Sequence, residues 1–158
     1  MRHSLKTGFS FGLTSGIITT LGLLVGLSSG SHSKAIVIDG ILTIAIADAF
    51  SDATGIHISE ESEGQHTTRE VWESTAATFI SKFVFANTFI IPLLAFELFE
   101  AVIVSIIWGF LCLCILSYLI AKGQNIKPWH VIAEHLIIAT IVIIATHCTG
   151  LWIASLFN

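Results

Sequence analysis

Asp48 and Asp52 stand four residues apart in "IADAFSDATG" (46–55), within a stretch that otherwise reads as an apolar helix. At that spacing the two carboxylates share one helix face. A carboxylate inside a bilayer costs roughly 2.5–3.5 kcal/mol on insertion scales, so such groups usually line a cavity, pair with a cation or titrate. Two ionised acids one turn apart also repel each other. A divalent cation would relieve that repulsion, and oxygen ligands suit hard or borderline ions. Protonation of one carboxylate would relieve it as well, which offers a means of exchanging protons for metal.

Other residues extend this chemistry. Ser59 continues the same face, Glu63 aligns with Asp52 if the helix runs on past the membrane, and His57 lies to one side. With Glu60 and Glu61 these give a candidate metal-ligand set of Asp48, Asp52, His57, Glu60, Glu61 and Glu63. Ser15, Thr19 and Ser59 are candidate pathway-lining residues. Lys82 is the candidate charge partner, either as a structural counter-ion or as a switch that competes with the cation. No GxSxG, HExxH or P-loop signature is present, so the sequence points away from an enzyme.

The elements that must position these groups follow from composition. The chain has 158 residues, is 54% hydrophobic and only 11% charged, and has a mean hydropathy of +0.86. It is far more apolar than a soluble domain of this length. A span needs roughly 20 helical residues, and five such stretches can be laid out, at about 9–30, 34–59, 75–97, 99–122 and 129–157. The expected fold is therefore all-α, a single polytopic membrane domain (1–158) of five transmembrane helices. Arg2 and Lys6 ahead of the first apolar run resemble the start of a secretory signal, but the run is about as long as a true span and is read as the first transmembrane helix.

Basic residues concentrate on cytoplasmic flanks. That rule places the N-terminus in the cytoplasm with Arg2, Lys6, Arg69, Lys122 and Lys127, leaves Lys34 outside, and puts Asn158 on the external or luminal face. The one substantial loop, about 60–74, is then cytoplasmic and acidic, and His66 within it adds to a mouth that attracts cations. Pro128 suits a helix start, and Asn87 with Pro92 predicts a kink in the third helix. Gly12 and Gly16, then Gly22, Gly26 and Gly30, form a small-residue strip that admits a close neighbour: another helix of the same chain, a pathway or a second subunit. Cys112, Cys114 and Cys148 lie in apolar runs and predict helix packing rather than disulfides or a zinc site. For His147 the expectation is a hydrogen bond to a neighbouring residue.

Three stretches resemble the vacuolar iron transporter family. "FGLTSGIITTLGLLVG" (11–26) is similar to that family's first-helix pattern, F-G-x-x-D-G-[IL]-[VI]-[ST]-T-x-G-L-[VL]-x-G. "DAFSDATGIHIS" (48–59) is similar to its second-helix pattern, A-x-S-M-A-x-G-E-[YF]-[VI]-S, and "IIPLLAF" (90–96) to L-[IL]-P-L-L-P-[FY]. The resemblance implies a homodimer through helices 1 and 2 with a metal pathway between subunits, and export of Fe²⁺ or Mn²⁺ from the cytosol in exchange for protons. The metal is then cargo rather than a permanently bound cofactor. The lipid bilayer is the other expected partner, with no nucleic acid, and the membrane is the plasma membrane of a prokaryote or an endomembrane, such as the vacuole, of a eukaryote.

The departures from the pattern are specific. Ser15 replaces the first-helix acid, Asp52 aligns with the second-helix Met, and Ile56 and His57 replace the Glu and the aromatic that follow the glycine. Loss of the thioether favours oxygen-preferring ions and brings Zn²⁺ and Co²⁺ into range. About 15 residues stand where many relatives insert a metal-binding domain. The competing expectation is a non-transporting membrane bundle that serves in assembly or regulation, with Asp48 and Asp52 in structural ion pairs.

Overall fold

The computed structural model describes residues 3–157, and they form an all-α bundle with no strand among them. Its helices are α1 (His3–Ser31), α2 (Lys34–Glu63), α3 (Thr68–Thr88), α4 (Ile90–Ala95), α5 (Leu98–Gln124) and α6 (Pro128–Phe157). Arg2 and Asn158, both used above to orient the chain, lie outside the described residues. Helix α1 is the axis of the bundle and packs against α2, α3, α5 and α6.

Four helical segments are long and apolar enough to cross a membrane: His3–Ser31, Thr68–Ala95, Leu98–Gln124 and Pro128–Phe157. The fifth long helix, α2, has 30 residues but not the apolarity. Asp39, Asp48 and Asp52, with the hydroxyls and small residues around them, lower its hydropathy.

Pro92 explains the break between α3 and α4. Its ring cannot donate a backbone N–H and would clash with the carbonyl of Thr88, four residues earlier, which is where α3 ends. The kink expected from Asn87 and Pro92 is thus a separation into two helices. Asn87 bonds back to the Phe83 carbonyl at 2.7 Å.

The expected acidic loop at 60–74 needs correction. Helix α2 continues to Glu63 and α3 begins at Thr68, leaving 64–67 as the connection. Gly64 ends α2 in the left-handed conformation, with φ 63°, which costs glycine little. Thr67 and Glu70 then start α3 with a reciprocal capping box.

The glycine strip of α1 divides into two. From Gly16 to Gly22 is six residues, roughly 240° around the helix beyond one full turn, so the two groups face different neighbours. A Cβ on Gly12 would lie 2.4 Å from the Thr78 carbonyl oxygen in α3, whereas Gly26 and Gly30 abut Thr146 and Gly150 in α6. Both halves are occupied by helices of the same chain. The three cysteines are free thiols.

Candidate ion site where three helices cross

Helices α1, α2 and α3 meet around Lys82, whose side chain is 1% exposed. Gly16 makes room for it: a Cβ there would stand 3.1 Å from Lys82 Cγ. The lysine stem therefore lies directly on the backbone of α1. From that position the Lys82 ammonium reaches both acids of α2.

The two contacts differ. Asp52 accepts hydrogen bonds from Lys82 Nζ and, at 2.6 Å, from Ser15 Oγ. Lys82 Nζ also donates to Ser15 Oγ at 2.9 Å, closing a three-membered network. Asp48 Oδ2 lies 2.5 Å from the same ammonium but accepts no directed hydrogen bond, so its contact is an ion pair alone. Asp52 is fixed by one residue from each of two other helices, whereas Asp48 is held only by charge.

Asp48 also borders open space. A groove of about 600 Å³ runs along the outer side of α1 and α2, lined by Leu23 and Leu27 on one side and by Asp39, Thr43, Asp48 and Ser51 on the other. The side chains of Asp48 and Asp52 are 27% and 20% exposed. Two carboxylates face one ammonium, so the cluster carries one uncompensated negative charge when both acids are ionised. In a low-dielectric setting that charge calls for a proton or a further cation.

The remaining candidate residues are placed elsewhere. Thr19, one turn along α1, bonds back to the Ser15 carbonyl at 2.9 Å. His57 turns away from Lys82, sharing a 2.9 Å hydrogen bond with Thr75 and an edge contact with Trp72. Ser59, Glu61 and Glu63 are exposed, and Glu63 pairs with His66 at 3.6 Å. Glu60 alone of that group is buried, and it accepts a 2.6 Å bond from Ser74 Oγ. Among the described residues, no three His, Cys, Asp or Glu side chains stand close enough together to hold a metal ion.

No protein-family model, curated protein or solved structure matches the chain. None of these comparisons identifies the vacuolar iron transporter family.

The structure also brings together residues that spacing alone did not single out. Ser74, Thr78 and Ser81 are buried on the face of α3 that ends at Lys82. Thr78 donates across to the Gly8 carbonyl at 3.1 Å. A polar seam therefore accompanies α3 from Glu60 and Ser74 to the lysine. The signal in the sequence is Ser74, Thr78 four residues on, and then Ser81 and Lys82, three and four residues beyond Thr78, which together mark one side of the helix. At the other end of α1, His147 Nδ1 shares a 2.6 Å hydrogen bond with Ser29, consistent with the expected role of that histidine.

Proposed function

We propose that this chain is an integral membrane carrier of divalent cations, moving Fe²⁺ or Mn²⁺, with Zn²⁺ and Co²⁺ also in range, out of the cytosol in exchange for protons. The observation that carries this reading is the pair Asp48 and Asp52 bridged by Lys82 beside an open groove. If the metal-free cluster holds one proton beyond those of the ammonium, it is neutral. A divalent cation entering between them would displace that proton and one proton of the ammonium, and the cluster would be neutral again. One M²⁺ then exchanges for two H⁺ with no net charge left in the low-dielectric core. Asp48, free of directed hydrogen bonds, is the acid that meets the incoming ion, and Asp52 with Ser15 holds the position.

In this reading α2 is a fifth span sheltered by its neighbours, with the basic flanks at the cytoplasmic end. Its outward face carries Asp39, Thr43, Ala47, Ser51, Gly55 and Ser59, all exposed. Such a face is unsuited to lipid. A homodimer through α1 and α2 would cover it and enclose the groove. The membrane is a plasma membrane or an endomembrane.

Proteoliposomes loaded with each metal in turn, with and without a pH gradient, test the reading. Metal flux should require the opposing proton gradient and should move about two protons per ion. If Asp48→Asn and Asp52→Asn both carry every ion as fast as wild type, the site assignment fails.

A second reading rests on the burial of Lys82 and its engagement with both acids. The triad would be a structural lock in a non-transporting bundle that acts in assembly or regulation. Absence of flux for all four metals, together with unfolding of Lys82→Met, would favour that reading.

A further inference from the structure

Charge is segregated at the end of the bundle where α1 begins. Most acids at this end lie on the α2–α3 hairpin, where Arg69 and His66 pair locally with Glu73 at 2.9 Å and Glu63 at 3.6 Å, and Glu134 stands exposed on α6. Gly8 of α1 faces that hairpin through Ser74. Lys6, two residues earlier and so roughly 200° around the helix, points the other way, towards the last turn of α5.

There a pocket of about 450 Å³ is lined by His3, Lys6, Ser10, Gln124 and Ile120. Among the described residues, no carboxylate borders it. Lys6 Nζ lies 2.7 Å from where a Cβ on Gly123 would stand, so the ammonium rests against α5 at that glycine. Among the described residues Lys6 has no carboxylate partner. Ser10 and Gln124 add neutral hydrogen-bond donors, and Lys122 and Lys127 stand exposed at the same corner. Along α5, Ile120 is one turn before Gln124, so the wall changes from apolar to polar across the pocket.

This combination suits one class of ligand. A phosphate diester supplies the anion that Lys6 lacks and acceptors for Ser10 and Gln124, and the acyl chains attached to it can continue over the apolar side. Basic pockets between membrane helices on the positively flanked side bind anionic headgroups in this manner. We infer that the pocket between the first turns of α1 and the last turn of α5 holds the phosphate headgroup of an anionic phospholipid, with Lys6 as its principal contact.

The test uses the full-length protein purified in detergent, with phosphatidylglycerol and phosphatidylcholine of identical chains titrated and bound lipid counted by native mass spectrometry. Wild type should prefer phosphatidylglycerol by about fivefold, the factor expected for one lysine at a membrane surface. Lys6→Gln should bring the two lipids to near parity. Lys6→Arg should keep the preference, and so should Lys127→Gln, which lies outside the pocket. Equal binding of the two lipids by wild type would overturn the proposal. So would an equal loss in Lys6→Gln and Lys127→Gln, the result expected of diffuse surface attraction. Displacement of phosphatidylglycerol by millimolar inorganic phosphate would reassign the pocket to a free anion and overturn the lipid assignment.

Discussion

The two contacts of α1 use the same device for different ends. Against α3, glycines at 8, 12 and 16 bring backbones close, and the space gained is filled by hydroxyls and a lysine. Against α6, Gly26 and Gly30 meet Thr146 and Gly150, with the Cβ position of Gly150 only 2.3 Å from the Gly26 carbonyl oxygen. The first crossing is polar and charged, the second mainly van der Waals with a peripheral Ser29–His147 bond. Close approach therefore does not by itself make a functional site. It sets a distance, and the side chains at that distance decide whether the result is packing or ion chemistry.

The largest effect should come from removing the charge at the first crossing. Lys82→Met leaves Asp48 and Asp52 without their cation and should cost about 3–5 kcal/mol of stability, as for other broken buried pairs, read by thermal unfolding in detergent. Adding Asp52→Asn to Lys82→Met should restore a substantial part of that loss. If the double variant is no more stable than the single one, the stabilisation at the α1–α3 crossing is packing, as at α6.

Next in size are steric changes, which should affect both crossings alike. Gly12→Val and Gly150→Val each press a side chain on backbone and should cost about 1–3 kcal/mol or more. Gly55, which has nothing within 4 Å of its Cβ position, is the control within one chain. Gly55→Ala should leave the unfolding midpoint unchanged or slightly raised, unless a second copy packs there.

A smaller difference separates the two acids. Asp52→Asn disturbs bonds from both Ser15 and Lys82, and Asp48→Asn only an ion contact, so Asp52→Asn should be the more destabilising by about 1 kcal/mol. Equal losses would remove the distinction between a fixed acid and a mobile one. Smallest of all, Ser29→Ala at the α6 crossing should cost about 1 kcal/mol or less, with no change in metal flux.

Much of this was legible from residue types. The shared face of Asp48 and Asp52, Lys82 as their partner, the break before Pro92 and the start of α6 at Pro128 all follow from helical geometry and proline chemistry. At 60–74 the acids predict a solvated loop, but the local cap signals point to a helical hairpin. Thr67 and Glu70 carry the capping-box spacing, and Gly64 supplies the preceding stop. Charge density marks exposure, whereas caps mark helix ends, and here the caps decided the boundaries. The candidate ligands divided for a related reason. Glu60, Glu61 and Glu63 are neighbours in sequence, but 100° per residue sends Glu60 into the bundle against Ser74 and leaves the other two outside.

The sequence by itself determined an apolar, all-helical chain, two acids on one face of its second long helix, and a strip of glycines along the first; it predicted five spans, of which four described segments are long and apolar enough to cross a membrane. These are properties of single helices, fixed by hydropathy and by 3.6 residues per turn. Only the tertiary structure decided which helix fills each glycine phase, that Ser15 and Lys82 converge on Asp52 while Asp48 keeps only an ion contact, and that Lys6 is left facing a pocket without an acid. Those facts depend on the rotation and spacing of helices against one another, which close packing of side chains from distant parts of the chain sets and no local pattern encodes.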